Sequence, residues 1–82
     1  MTWFMMTVYD ADNEVIMDYL DFTKDGNHYE FDTSSICEIH DRVKIADSLG
    51  YDWSVSEQDD FEDEEVGYYN NIEAWFDRYG EE

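Results

Sequence analysis

Thr2-Trp3-Phe4-Met5-Met6-Thr7-Val8-Tyr9 is the stretch on which the fold turns. Aromatic and β-branched residues dominate it, and such residues favour a pleated strand. With a period of two, Phe4, Met6 and Val8 share one face, and Trp3, Met5 and Tyr9 share the other. Downstream, Asp10-Ala11-Asp12-Asn13 reads as a turn. Residues 14–22 then read as a returning strand, with Ile16, Leu20 and Phe22 on one face beside Asp18, an imperfect alternation. Lys24-Asp25-Gly26-Asn27 carries the Asp-Gly hairpin signal, and His28-Tyr29-Glu30-Phe31 makes a short third strand. The expected unit is a three-stranded antiparallel meander.

After Asp32 the period changes. Ser35 and Glu38 form a capping box, and Ile36, Ile39, Val43, Ala46 and Leu49 follow at helical spacing. Gly50 stands where a left-handed C-cap belongs. This helix carries Glu38, Asp41 and Asp47 with Arg42 and Lys44, so it is nearly charge-balanced. Residues 51–56 read as a short edge strand or an extended connection. Tyr68 or Tyr69, Ile72, Trp75 or Phe76, and Tyr79 recur at helical spacing, which predicts a second helix over roughly 68–79. The reading is therefore α+β: an antiparallel sheet of three strands, or four, with one helix packed on it and a second near the C-terminus. One domain is expected over residues 1–82, near the lower size at which a chain buries its own core.

Charge is the most informative property. Asp and Glu total 23 against 4 Lys and Arg, a formal net charge of −19. A small soluble domain needs a magnitude of only ~2–8. The excess repels itself and destabilises the compact state, so a use for it is implied. Seven of the nine positions 57–65 are carboxylates: Glu57, Asp59, Asp60, Glu62, Asp63, Glu64 and Glu65. Asp10, Asp12, Glu14, Asp18, Asp21, Asp25, Glu30 and Asp32 make the strand region acidic as well. A solvated charge run explains only the first group. Halophilic adaptation would explain the charge, but not three Trp, seven Tyr and five Phe in 82 residues. Trp53, Tyr68 and Tyr69 are candidate interface anchors, with core packing as the alternative for each.

Catalytic and cofactor chemistry is weakly represented. His28 reads as a turn-flanking group and His40 as a surface residue one step from Ile39; neither sits in a nucleophile or metal-ligand motif. No Gly-rich phosphate loop is present. Asp10-Ala11-Asp12-Asn13-Glu14 opens like a calcium loop, but Val15 replaces its glycine and Asp21 its bidentate Glu. Lone Cys37 excludes an intramolecular disulfide and reads as a buried thiol. Residues 1–8 lack a basic segment and a small-residue cleavage site, so a cytoplasmic protein is expected. No enzyme, cofactor or metal is expected.

Carboxylates on one strand face repeat at ~6.5–7 Å, twice the rise per residue. Phosphates on one DNA strand repeat on a similar scale, given a rise of ~3.4 Å per base and their helical path. A carboxylate-studded domain can therefore present a phosphate-like array to a basic groove. The pattern resembles the small acidic proteins with which phages and mobile elements block host nucleases, both anti-restriction and anti-CRISPR DNA mimics. Within that class, Asp25-Gly26-Asn27 with Tyr29, then a helix, then Glu62-Asp63-Glu64-Glu65 shortly before Tyr69-Asn70, resembles the Listeria-prophage family of small Cas9 inhibitors. The resemblance covers residues 24–70. It implies that Asp63, Glu64 and Glu65 meet the arginines that read the protospacer-adjacent DNA, and that Asp25 and Asn27 project toward a nuclease site. This chain departs from that family in its strand-like opening, where the family has a helix, and in His28, where the family has an acid.

The expected partner-binding set is Asp18, Asp21, Asp25, Asn27, Glu57, Asp59, Asp60, Glu62, Asp63, Glu64, Glu65 and Tyr69. The expected partner is a basic nucleic-acid-binding protein, with no direct contact to nucleic acid or membrane. An immunity protein or antitoxin against a basic nuclease toxin is the competing class, and an acidic regulator of a DNA-binding protein a third. Monomer and dimer both remain open.

Overall fold

The computed structural model describes residues 2–59 and 64–80. Among these described residues, five strands and three helices follow in the order β1 (Thr2–Tyr9), α1 (Glu14–Tyr19), β2 (Thr23–Asp25), β3 (His28–Thr33), α2 (Ile36–Ser48), β4 (Asp52–Asp59), β5 (Glu64–Tyr69) and α3 (Ile72–Arg78). The strands make one sheet in the order β2-β3-β1-β4-β5, and every neighbouring pair is antiparallel. The class is α+β as expected, with more strands than the three or four expected.

β1 sits at the centre, and β3 and β4 run in the same direction on either side of it. The chain must cross from β3 to β4, and α2 is that crossover. Its Ile39, Val43 and Ala46 are buried on the face carrying Phe4, Met6 and Val8. Ile36 and Leu49, read as part of the same stripe, are exposed at its two ends. Met17 and Leu20 of the α1 turn, Tyr29, Trp53 and Val55 of the strands, and Trp75 of α3 complete the same core. No described helix is long and apolar enough to cross a membrane.

Residues 14–22 correct the sequence reading: they begin as a helix, not a strand. Asn13 accepts a hydrogen bond through its side chain from the Ile16 amide at 3.1 Å, which caps α1. A strand would have put Asp18 in the same row as Ile16, Leu20 and Phe22. The helix buries Met17 and Leu20 and leaves Asp18 exposed. Asp21 then takes φ 67°, and the amides of Asp21 and Phe22 bond to the carbonyls of Asp18 and Met17. That is a Schellman cap on a non-glycine residue. α2 ends in the same motif at Gly50, with φ 80°, where the sequence did advertise it.

Two further boundaries differ from expectation. Residues 52–59 form an eight-residue strand between β1 and β5, not a short edge. Tyr68 and Tyr69 belong to β5, and the last helix starts only at Ile72, where the Asn71 side chain accepts from the Ala74 amide at 2.8 Å. Cys37 is exposed rather than buried. It lies two residues before Ile39, ~200° around the helix, so it faces away from the sheet.

Candidate functional site

Strand parity sorts the side chains into two faces. All three helices contribute to the core on one face; among the described residues none packs on the other. On the uncovered face Trp3, Met5 and Tyr9 of β1 are 38%, 36% and 41% exposed, and Tyr68 of β5 is 55% exposed. The expected alternation of β1 therefore holds, and its second apolar face looks outward. His28, Glu30 and Asp32 of β3 alternate with buried Tyr29 and half-buried Phe31 and join that face. Asp25 pairs with His28, and Asp52 pairs with Tyr9. The Trp3 indole Nε1 donates to Asp32 Oδ2 at 3.3 Å, tying an aromatic to an acid across strands.

None of the four cations lies there. Lys24 pairs in register with inward-facing Tyr29 and reaches Glu14 Oε2 of α1 at 3.6 Å. Arg42 and Lys44 sit on α2, where Arg42 donates to the Leu20 and Glu38 carbonyls and stacks its guanidinium 3.9 Å above the Phe31 ring. Arg78 closes α3. All four Lys and Arg residues thus lie on helices or on the helical side of the sheet, and the bare sheet face combines carboxylates with aromatic rings.

The covered face treats one carboxylate very differently. Glu57 was expected to contact a partner, but it points into the core with 4% exposure. The Tyr69 hydroxyl donates to its Oε1 at 2.8 Å, and Arg78 Nη2 lies 3.6 Å from its Oε2. Gly67 stands opposite Glu57 in β5, and a Cβ there would come within 2.6 Å of the Tyr69 hydroxyl and 2.8 Å of Glu57 Oε1. Burial, then the Glu57 carboxylate, push the Tyr69 phenol above its ordinary range, and the same two causes raise Tyr79 further. The cluster neutralises a buried charge and anchors α3 to the sheet. It holds Tyr69 half-buried and bonded, so this residue too is structural rather than free for a partner.

Trp75 is the hub of that side. Its ring meets Phe4, Tyr69 and Tyr79 with centroids at 6.0, 5.5 and 4.8 Å. Its Nε1 donates to His40 Nδ1 at 2.9 Å. His40, read as a surface residue, is half-buried as the acceptor of that bond. Trp53, read as an interface anchor, is 4% exposed and belongs to the core.

The remaining expected contacts scatter. Asp18 and Asp21 are exposed on the helical side, where Asp18 lines a shallow groove between α1 and the β2–β3 hairpin. Asp25 precedes the hairpin turn and Asn27 lies in it, at one edge of the sheet. Asp59, Glu64 and Glu65 lie in β4 and β5 at the opposite corner, because Asp59 pairs with Thr2 while His28 pairs with Tyr9. The outer strands are ~19 Å apart, four inter-strand spacings. Asp60, Glu62 and Asp63 lie outside the described residues. In the segment that opens like a calcium loop, Asp12 accepts from the Tyr51 hydroxyl at 2.8 Å, an interaction that raises the phenol's pKa, and Glu14 begins α1.

The sequence reading missed the outward-facing row His28, Glu30, Asp32 and its neighbours Trp3, Tyr9 and Asp52 as one surface. Alternation in β3 was the available signal. Comparison with family models, curated proteins and solved structures finds no match to this chain.

Proposed function

We propose that this chain is a DNA-mimic inhibitor that occupies, stoichiometrically and without catalysis, the basic nucleic-acid-binding groove of a defence nuclease of restriction or CRISPR type. One observation carries the reading: the uncovered sheet face bears Asp25, Glu30, Asp32 and Asp52 among exposed aromatics, and all four cations project elsewhere. Glu30 and Asp32 repeat at ~6.5–7 Å along β3, a spacing suited to groups that bind successive phosphates. Trp3, Tyr9 and Tyr68 add flat surfaces on which guanidinium groups stack. Asp59, Glu64 and Glu65 of β4 and β5 add negative charge beyond this face. Association is then fast and steeply salt-dependent.

The test is capture of partners from host lysate, elution along a salt gradient, and competition with duplex DNA. The expected partner is a basic nuclease that DNA displaces. Lysines introduced together at Glu30, Asp32 and Asp52 abolish its binding while leaving the circular dichroism spectrum unchanged. Undiminished binding by that triple variant, or a partner indifferent to DNA, sinks the proposal. A single toxin that resists salt would favour an immunity protein instead.

A further inference from the structure

The hairpin turn brings together a mixed set of metal donors. Gly26 and Asn27 form a two-residue loop, with Gly26 at φ 67°, and this closes Asp25 directly opposite His28. Glu30 follows His28 two residues on, so all three side chains rise from the same face. His28 Nε2 lies 3.0 Å from Glu30 Oε2 and 3.9 Å from Asp25 Oδ2, and the three donor atoms fall within 4.8 Å of one another.

We propose that Asp25, His28 and Glu30 form a binding site for a first-row divalent transition ion of the Zn2+ class. Tetrahedral zinc with bonds of ~2.0–2.1 Å sets its donors ~3.3 Å apart, so these separations need only small side-chain adjustments. One imidazole with two carboxylates is a borderline donor set: the nitrogen selects transition ions over Mg2+ and Ca2+, which prefer oxygen alone. Two strands hold the donors in register, and the 70% exposure of the Asp25 side chain leaves a fourth position to water. The acidic chain concentrates cations around it. A bound ion clips the three-residue strand β2 to β3. This inference rests on the convergence of three donors and stands apart from the identity of any protein partner.

The experiment is a calorimetric titration of the full chain with Zn2+ at ~0.15 M salt, which screens diffuse attraction to the surface. A single site in the micromolar range is expected, undisturbed by excess Mg2+. NMR should show the imidazole resonances of His28 moving and those of His40 staying. His28→Gln should weaken the site by at least ~10-fold. Asp25→Asn, at an exposed turn position, weakens it too and keeps the test decisive if the histidine variant perturbs the fold. Cys37→Ser should change nothing. Binding only at millimolar Zn2+, binding indifferent to both hairpin variants, or binding lost with the cysteine would overturn the proposal.

Discussion

Glu57 and Asp32 are carboxylates on strands of one sheet, and they meet opposite environments. Glu57 sits at an inward position of β4, 4% exposed, with a tyrosine hydroxyl and an arginine supplied by β5 and α3. Asp32 sits at an outward position of β3, in water, with the Trp3 indole against it. A buried carboxylate must be satisfied within the fold or it destabilises it. An exposed one contributes little to stability and is free to meet a partner. Strand parity therefore separates Glu57, as scaffold, from Glu30, Asp32 and Asp52, as surface.

The largest way to test that division lies on the covered side. Trp75→Ala removes the ring on which Phe4, Tyr69 and Tyr79 converge, and the expected cost is about 3–5 kcal/mol. That approaches the entire stability of a domain this small, of order 5 kcal/mol. Urea unfolding should find the variant largely unfolded; a cost below that of an ordinary surface change would mean the core is organised differently.

The pair itself comes next. Glu57→Ala leaves the Tyr69 hydroxyl without its acceptor and should cost about 1–3 kcal/mol. Asp32→Asn should stay within ~0.5 kcal/mol in the same assay. Equal costs at the two sites would break the comparison.

Alkaline titration sharpens it. Tyr69 and Tyr79 have folded pKa values raised above the ordinary 10.0, first by burial and then by Glu57. A raised value means that their contribution to stability is fully present below the unfolded pKa and is lost as pH climbs from it through the folded value. Stability should therefore fall above pH 10, with these phenols ionising late or only on unfolding, as read by ultraviolet absorbance. Glu57→Gln should bring their ionisation to lower pH; no movement would detach the carboxylate from the cluster.

The smallest effect concerns the exposed acids collectively. With a net charge of −19, added salt screens self-repulsion, so the melting temperature should rise from low to moderate ionic strength. A fall would show that ion pairs such as Lys24–Glu14 and Arg78–Glu57 matter more than the excess of like charge.

Much of the architecture is legible before any coordinates. The alternation in residues 2–9, the hairpin at Asp25-Gly26-Asn27, the N-cap at Ser35 and the stop at Gly50 are local signals, and each is realised. Of the capping box only the Ser35 half forms, because the Ser35 amide donates to Thr33 Oγ1 and Glu38 accepts from the Thr33 hydroxyl instead. Local signals failed where the deciding residue is permissive rather than characteristic. Asn13 begins a helix and Asp21 ends one in a left-handed conformation usually given to glycine. The end of β5, Tyr68 and Tyr69, reads as helix because Tyr68, Ile72, Trp75 and Tyr79 keep helical spacing across a boundary that Asn71 sets. Of the candidate site, only Asp25 at the hairpin is legible as a contact. The row on β3 was not assembled, because its importance depends on which face stays bare.

By itself, then, the sequence determined that the chain has an excess of acid, a first strand apolar on both sides, and one amphipathic helix after a hairpin. Alternation with a period of two defines two faces but cannot rank them when Phe4-Met6-Val8 and Trp3-Met5-Tyr9 are both apolar. Tertiary structure ranked them. β3 and β4 flank β1 in the same direction, so the chain crosses on one side only, and α2 covers the first set. That crossover leaves Trp3, Met5, Tyr9 and the acids beside them facing out, and the same parity turns Glu57 inward.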